Sequence, residues 1–193
     1  MSKFELVCVP TPSIGHLVPF CKFAEKLVDR DERLYVTILI IRPPTPWSST
    51  IDAFIKRISS APEGNRIRYI TLAQIEPPSS EELAKSVEKY ISLLIANYRP
   101  IVKDAIISKK SWPDTDSNPK IIGLVIDMFC TSMIDVANEL DIPSYLFFTS
   151  GAAFLGFLFY LSFWDEQFGR EFKPSDGDLN IAAYAHPVPS KFL

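Results

Sequence analysis

The apolar residues fall into two alternating patterns. Phe4 to Val9, Leu34 to Ile41, Ile67 to Leu72, Lys120 to Ile126 and Ser144 to Phe148 are short apolar runs that read as strands. The second of these is β-branched and nearly continuous in apolarity, as expected of a strand covered on both faces in a parallel sheet. Between the runs the spacing changes to three and four. Leu17, Phe20, Cys21, Ala24, Leu27 and Val28 mark a first helix, and Ile51, Phe54, Ile55 and Ile58 mark a second, opened by Ser49 or Thr50 and running to about Ser60. A long helical pattern runs from Glu81 to about Lys110, capped by Ser79 or Ser80 and kinked or divided at Pro100. Thr131 to Leu140 and Ala152 to about Phe168 complete the helices.

Polar and proline-rich stretches separate these elements. They are Arg42 to Pro46, the turn Pro62-Glu63-Gly64-Asn65, the loop Ser111 to Pro119, and an irregular tail beyond Gly169. Strand and helix alternate five times. The expected fold class is therefore α/β, a Rossmann-like parallel sheet with helices on both faces, built as one domain over residues 1–193.

One stretch imitates a membrane span: from Ile142 to Trp164 there is no charged residue. Pro143 and Thr149-Ser150-Gly151 divide it into a buried strand and a buried helix, each too short to cross a bilayer. Nor does the start read as a secretory signal, because the apolar run after Lys3 ends at Val9. A cytoplasmic protein without a membrane span is expected.

Composition narrows the function classes. Hydrophobic content of 47% and charged content of 22% are those of an ordinary globular chain. A net charge of -3 with no long Lys/Arg run argues against a nucleic-acid surface. Cys8, Cys21 and Cys130 lack metal-like spacing and read as small buried residues in a reducing compartment. Two histidines, His16 and His186, are too few for a metal cluster, so no metal is expected. No G-x-G-x-x-G, G-x-x-x-x-G-K-[ST] or G-x-S-x-G motif is present.

The chemistry concentrates at strand ends. Cys8 to Phe20 reads as strand, tight turn and helix start, with Gly15 allowing a sharp bend and Pro19 placed in the first helical turn. His16 then lies at the carboxyl edge of a parallel sheet, where ligands of α/β folds bind. The positive end of a helix dipole disfavours imidazolium, which suits His16 to work as a general base. A merely structural histidine is the alternative. Asp127 follows the apolar run Ile122 to Ile126 and shares that edge. It could hold one imidazole nitrogen and fix the tautomer, or it could cap the next helix. Thr149 and Ser150 end the fifth strand on the same edge, as ligand contacts for a polar or anionic group or as an ordinary cap.

The chain resembles the N-terminal, acceptor-binding half of plant UDP-dependent glycosyltransferases that decorate small molecules. The residues that carry the resemblance are Pro12-Ser13-Ile14-Gly15-His16-Leu17-Val18-Pro19 and Val125-Ile126-Asp127-Met128-Phe129-Cys130, then Ile134 to Leu140, Pro143 to Ser150, Gln74 to Pro78 and His186 to Pro189. The resemblance implies one of the two domains of a GT-B fold and sugar transfer with inversion. It implies His16 as the base and Asp127 as its partner. Thr149 and Ser150 would be at the donor sugar, and Ile14, Met128, Phe129 and Phe148 near the acceptor. No cofactor is implied; a UDP-sugar, glucose being the commonest, is a co-substrate. The acceptor would be a phenolic or terpenoid alcohol. The nucleotide-sugar half is not in these 193 residues, and the chain alone is expected to be inactive. A non-catalytic small-molecule or protein-binding domain of the same fold is the alternative, and a hydrolase using Ser150 lacks its elbow motif.

Overall fold

The computed structural model describes residues 2–44, 48–58, 66–108 and 119–192. The expected turn at 62–65 and most of the loop at 111–119 lie outside the described residues. The chain divides into two compact units, Met1–Thr149 and Ser150–Leu193.

The first unit is built on a five-stranded sheet of β1 (Phe4–Val9), β2 (Leu34–Ile40), β3 (Ile67–Thr71), β4 (Lys120–Asp127) and β5 (Ser144–Phe147). The strands are all parallel, in the order β3-β2-β1-β4-β5. Among the described residues seven α-helices accompany them: α1 (Ile14–Arg30), α2 (Ser49–Ile58), α3 (Ser80–Lys85), α4 (Val87–Asn97), α5 (Arg99–Ile107), α6 (Met133–Glu139) and, in the second unit, α7 (Ala152–Phe168).

Alternation along the strands sorts the core into two layers. Cys8, Val36, Ile38, Ile40 and Val125 face Leu17, Phe20, Cys21 and Ala24 of α1 and Ile51 and Phe54 of α2. Val7, Val9, Leu39, Leu124 and Ile126 point the other way, against Leu94 and Ile95 of α4, Val102 and Ile106 of α5, and Met133 and Val136 of α6. Both sheet faces are covered, which is why β2 reads as a nearly continuous apolar run. The three cysteines are free and buried, as their composition context implied.

Four local expectations need correction. Pro19 is not in the first turn of α1: the helix opens at Ile14, where the Ser13 carbonyl accepts from the His16 and Leu17 amides at 3.1 and 2.9 Å. Gly15 is not a bend. It lies inside the helix, and positive φ angles among the described glycines occur only at Gly169 and Gly177. The long helix expected after Ser80 is three helices. The break at Tyr98–Pro100 was foreseen, but Ser86 also leaves helical geometry (φ -163°, ψ 129°) and caps α4 by accepting from the Lys89 amide at 3.1 Å. Lastly, β5 is not buried, because it is the sheet edge: Tyr145 and Leu146 are 53% and 52% exposed.

In the second unit, α7 is likewise less buried than its sequence implied. Trp164 is the helix's one buried residue, packed with Leu179 and Ile181, while Phe154, Phe159, Phe163 and Phe168 are exposed. A unit of this size has too few side chains to cover a helix that is apolar all round. A two-stranded antiparallel pair, β6 (Asp178–Leu179) with β7 (Val188–Pro189), completes it. No described helix is long and apolar enough to cross a membrane.

Candidate functional site

The strand order fixes where a site can form. The chain builds outward from β1 through β2 to β3, then returns to place β4 on the other side of β1. The loops leaving β1 and β4 therefore diverge, opening a crevice at the carboxyl edge between two paired strands, Val9 of one beside Ile126 of the other. His16 follows β1 at the start of α1, and Asp127 is the last residue of β4.

These two side chains meet. His16 Nδ1 lies 2.8 Å from Asp127 Oδ2, with the carboxylate fully buried and the imidazole 22% exposed. A carboxylate can only accept, so Nδ1 carries the hydrogen, and Nε2 is the nitrogen left with a lone pair. Three further groups surround the carboxylate. Thr11 Oγ1 donates to Oδ1 at 2.6 Å and the Phe129 amide donates to the same oxygen at 3.2 Å. Thr149 Oγ1 donates to Oδ2 at 3.3 Å and stands 2.9 Å from His16 Nδ1. Burial opposes ionisation of Asp127, but the bonds from His16, Thr11 and the Phe129 amide outweigh it, and the carboxyl titrates below its ordinary value.

The other expected residues are distributed unevenly. Phe129 packs edge-on to the His16 ring at a centroid distance of 5.6 Å and is 39% exposed. Ile14 lines a cavity of about 450 Å³ beside the β1–α1 turn. Met128 and Phe148 are half-buried and lie outside the cavity lining. Ser150 opens the second unit and is exposed. No group of three or more His, Cys, Asp or Glu among the described residues could hold a metal.

Sequence reasoning missed two things here. Thr11 was passed over because a lone threonine in a turn carries no spacing signal. The cavity was missed because its walls come from distant segments: Thr11 to Ile14, Pro43, Ser49 and Thr50, and Val87, Tyr90, Ile91 and Leu94 along α4. Among the described residues its lining holds hydroxyls and apolar groups and no charged side chain.

The chain is 40% identical over 192 residues to UDP-glycosyltransferase 71K2 of Pyrus communis, covering 99% of this chain and 39% of that protein. It is 36% identical to UDP-glucose flavonoid 3-O-glucosyltransferase 6 of Fragaria ananassa, over 96% of this chain and 38% of that one. Along its whole length, the chain is related to plant UDP-glycosyltransferases. It spans about two-fifths of the length of these curated relatives. Among solved structures, Medicago truncatula UGT71G1 complexed with UDP-glucose matches with a TM-score of 0.77 and 38% identity, over 99% of this chain and 39% of that one. A Polygonum tinctorium UDP-glucosyltransferase capable of glucosylating indoxyl matches at 0.78 and 30%, over 99% and 39%. The fold class is thus that of one half of the GT-B plant glycosyltransferases. No protein-family model matches the chain.

Proposed function

We propose that this chain is the acceptor-binding half of an inverting, UDP-sugar-dependent glycosyltransferase acting on a hydroxyl of a small plant metabolite. The observation that carries the reading is the buried Asp127 carboxylate bonded to His16 Nδ1 at the switch point of the sheet.

The chemistry follows from that bond. With Nδ1–H held by Asp127, His16 Nε2 takes the proton of the acceptor hydroxyl. The acceptor oxygen forms its bond to the anomeric carbon as the bond from that carbon to the UDP oxygen breaks, with inversion. UDP leaves with the electron pair, and the proton stays on the imidazole. Asp127 stabilises the imidazolium so formed. Thr149 and Ser150 are the contacts proposed for the donor sugar, and glucose is the sugar proposed, as in the names of the relatives.

The cavity is the acceptor site in this reading. Its size suits a ligand of two or three rings, and the apolar, uncharged side chains of its described lining favour a neutral phenol or terpenoid alcohol over a carboxylate. Ile14 touches this ligand from the cavity side, while Phe129, Met128 and Phe148 meet it nearer the reacting hydroxyl.

A charged diphosphate must also be held as it leaves. In this proposal those groups belong to the part of the enzyme that the relatives' greater length accommodates, and residues 1–193 alone do not turn over. The test is UDP release by the full-length protein against a panel of phenols, flavonoids and carboxylated analogues with several UDP-sugars. Acceptor-dependent release with neutral phenols supports the reading, and its absence with every sugar and acceptor removes it.

A further inference from the structure

The His16–Asp127 bond leaves one question open: what aims the carboxylate. Rotation about the Asp Cβ–Cγ bond is soft and nearly two-fold, so nothing intrinsic to Asp127 decides which oxygen faces His16 or at what tilt. Its environment has to decide.

The two oxygens are held differently. Oδ2 faces His16 Nδ1 and Thr149 Oγ1. Oδ1 is held by Thr11 Oγ1 at 2.6 Å and by the Phe129 amide at 3.2 Å. The Thr11 bond has the length of a charge-assisted O–H···O⁻ bond and is the shorter of the two. The hydroxyl is itself fixed. Thr11 is 4% exposed, two residues beyond the end of β1, and its Oγ1 lies 3.7 Å from Cys130 Sγ. Burial pushes the Cys130 thiol up to about 12, so it remains protonated. Since the single hydroxyl hydrogen goes to Asp127, the sulfur is the donor in the second contact. The donors thus converge on the Asp127 carboxylate: Cys130 donates to Thr11 and Thr11 to Oδ1 on one side, and His16 Nδ1–H donates to Oδ2 on the other.

We propose that Thr11 is a positioning residue for the general base: by pinning Oδ1 it turns Oδ2 onto Nδ1 and so sets the His16 tautomer that leaves Nε2 free. Thr11 touches neither acceptor proton nor sugar in this role. A purely structural Thr11 would be a buried hydroxyl satisfied by the nearest acceptor, with no influence on which imidazole nitrogen carries hydrogen. The catalytic consequence rests on the proposed glycosyl transfer, whereas the tautomer consequence does not.

The experiment exploits the fact that residues 1–193 hold two histidines, His16 and His186, and is made on that span. The protein is labelled with ¹⁵N-histidine and compared as wild type, Thr11→Val and Thr11→Ser by nuclear magnetic resonance. His186→Gln assigns the signals. Wild type and Thr11→Ser are expected to show a slowly exchanging His16 Nδ1–H and an unprotonated Nε2. In Thr11→Val that proton should exchange rapidly and the Nε2–H tautomer should appear. Thr11→Ala gives the same readout if Thr11→Val does not fold. In the full-length protein, kcat of Thr11→Val should fall roughly ten- to a hundredfold, the scale of one bond to a charged group, with KM for UDP-sugar held within about twofold. An unchanged His16 spectrum in both Thr11→Val and Thr11→Ala overturns the proposal. A spectrum that responds in a protein without transferase activity leaves the Thr11 role standing and removes the reaction assigned to the site.

Discussion

Asp127 Oδ2 and His16 Nδ1 are 2.8 Å apart although 111 residues separate them in the chain. The sheet closes that gap. β1 and β4 are neighbours in parallel register, and each ends in the same crevice, one through a short turn into α1 and the other at Asp127 itself. Because the carboxylate is buried and the imidazole partly open, the pair has an inner end fixed by hydrogen bonds and an outer end open to a ligand.

The burial of that carboxylate gives a pH prediction. Asp127 ionises below its ordinary value in the folded protein, so it contributes stability at pH values above that ordinary value and loses it as pH falls through the folded value. The melting temperature of the wild type is expected to exceed that of Asp127→Asn at neutral pH. The difference should shrink as the pH drops below about 4, where unfolded aspartates begin to bind protons. A difference that is constant from pH 7 to pH 3 would show that the charge of Asp127 does not stabilise the fold.

The cavity beside the β1–α1 turn yields a prediction that separates binding from chemistry. Val87 lines it from α4 and is 49% exposed, so a larger side chain there costs no core packing. Val87→Trp is expected to raise the acceptor KM about tenfold or more for two- and three-ring phenols, through overlap with the bound ring. The KM for UDP-sugar and the melting temperature should stay unchanged. Unaltered acceptor kinetics would place the acceptor elsewhere.

How much of this was legible in the chain depends on whether the signal was local. Parallel β2 could be read because nearly continuous β-branched runs occur where both faces of a strand are covered, and His16 and Asp127 because each stands directly at an element's end. The Ser86 break could not be read, since a serine interrupts a helical pattern only when its side chain turns back to cap the next helix. The exposure of β5 followed from its place at the edge, a property of strand order rather than of the four residues involved. Thr11 and the α4 wall of the cavity were invisible for the same reason: their roles come from segments brought together by the fold.

The second unit offers an independent check on its packing. A methyl group added at Gly156 of α7 would overlap the side chain of Ala183, whose Cβ cannot move without its backbone. Gly156→Ala is expected to destabilise this unit by about 1–3 kcal/mol despite the better helix propensity of alanine. Faster cleavage between residues 150 and 193 under limited proteolysis would report it. Cleavage at the wild-type rate would mean that α7 and Ala183 do not pack as described.

In the proposed reaction His16, held by Asp127, removes the acceptor proton. The direct measurement is kcat for UDP release from UDP-glucose with a phenolic acceptor, in the full-length protein and its His16→Ala variant, at matched folding by circular dichroism. Loss of general-base assistance should lower kcat by roughly a hundred- to ten-thousandfold, with KM for UDP-glucose little changed. Turnover by the folded His16→Ala variant within a few-fold of wild type would contradict the account.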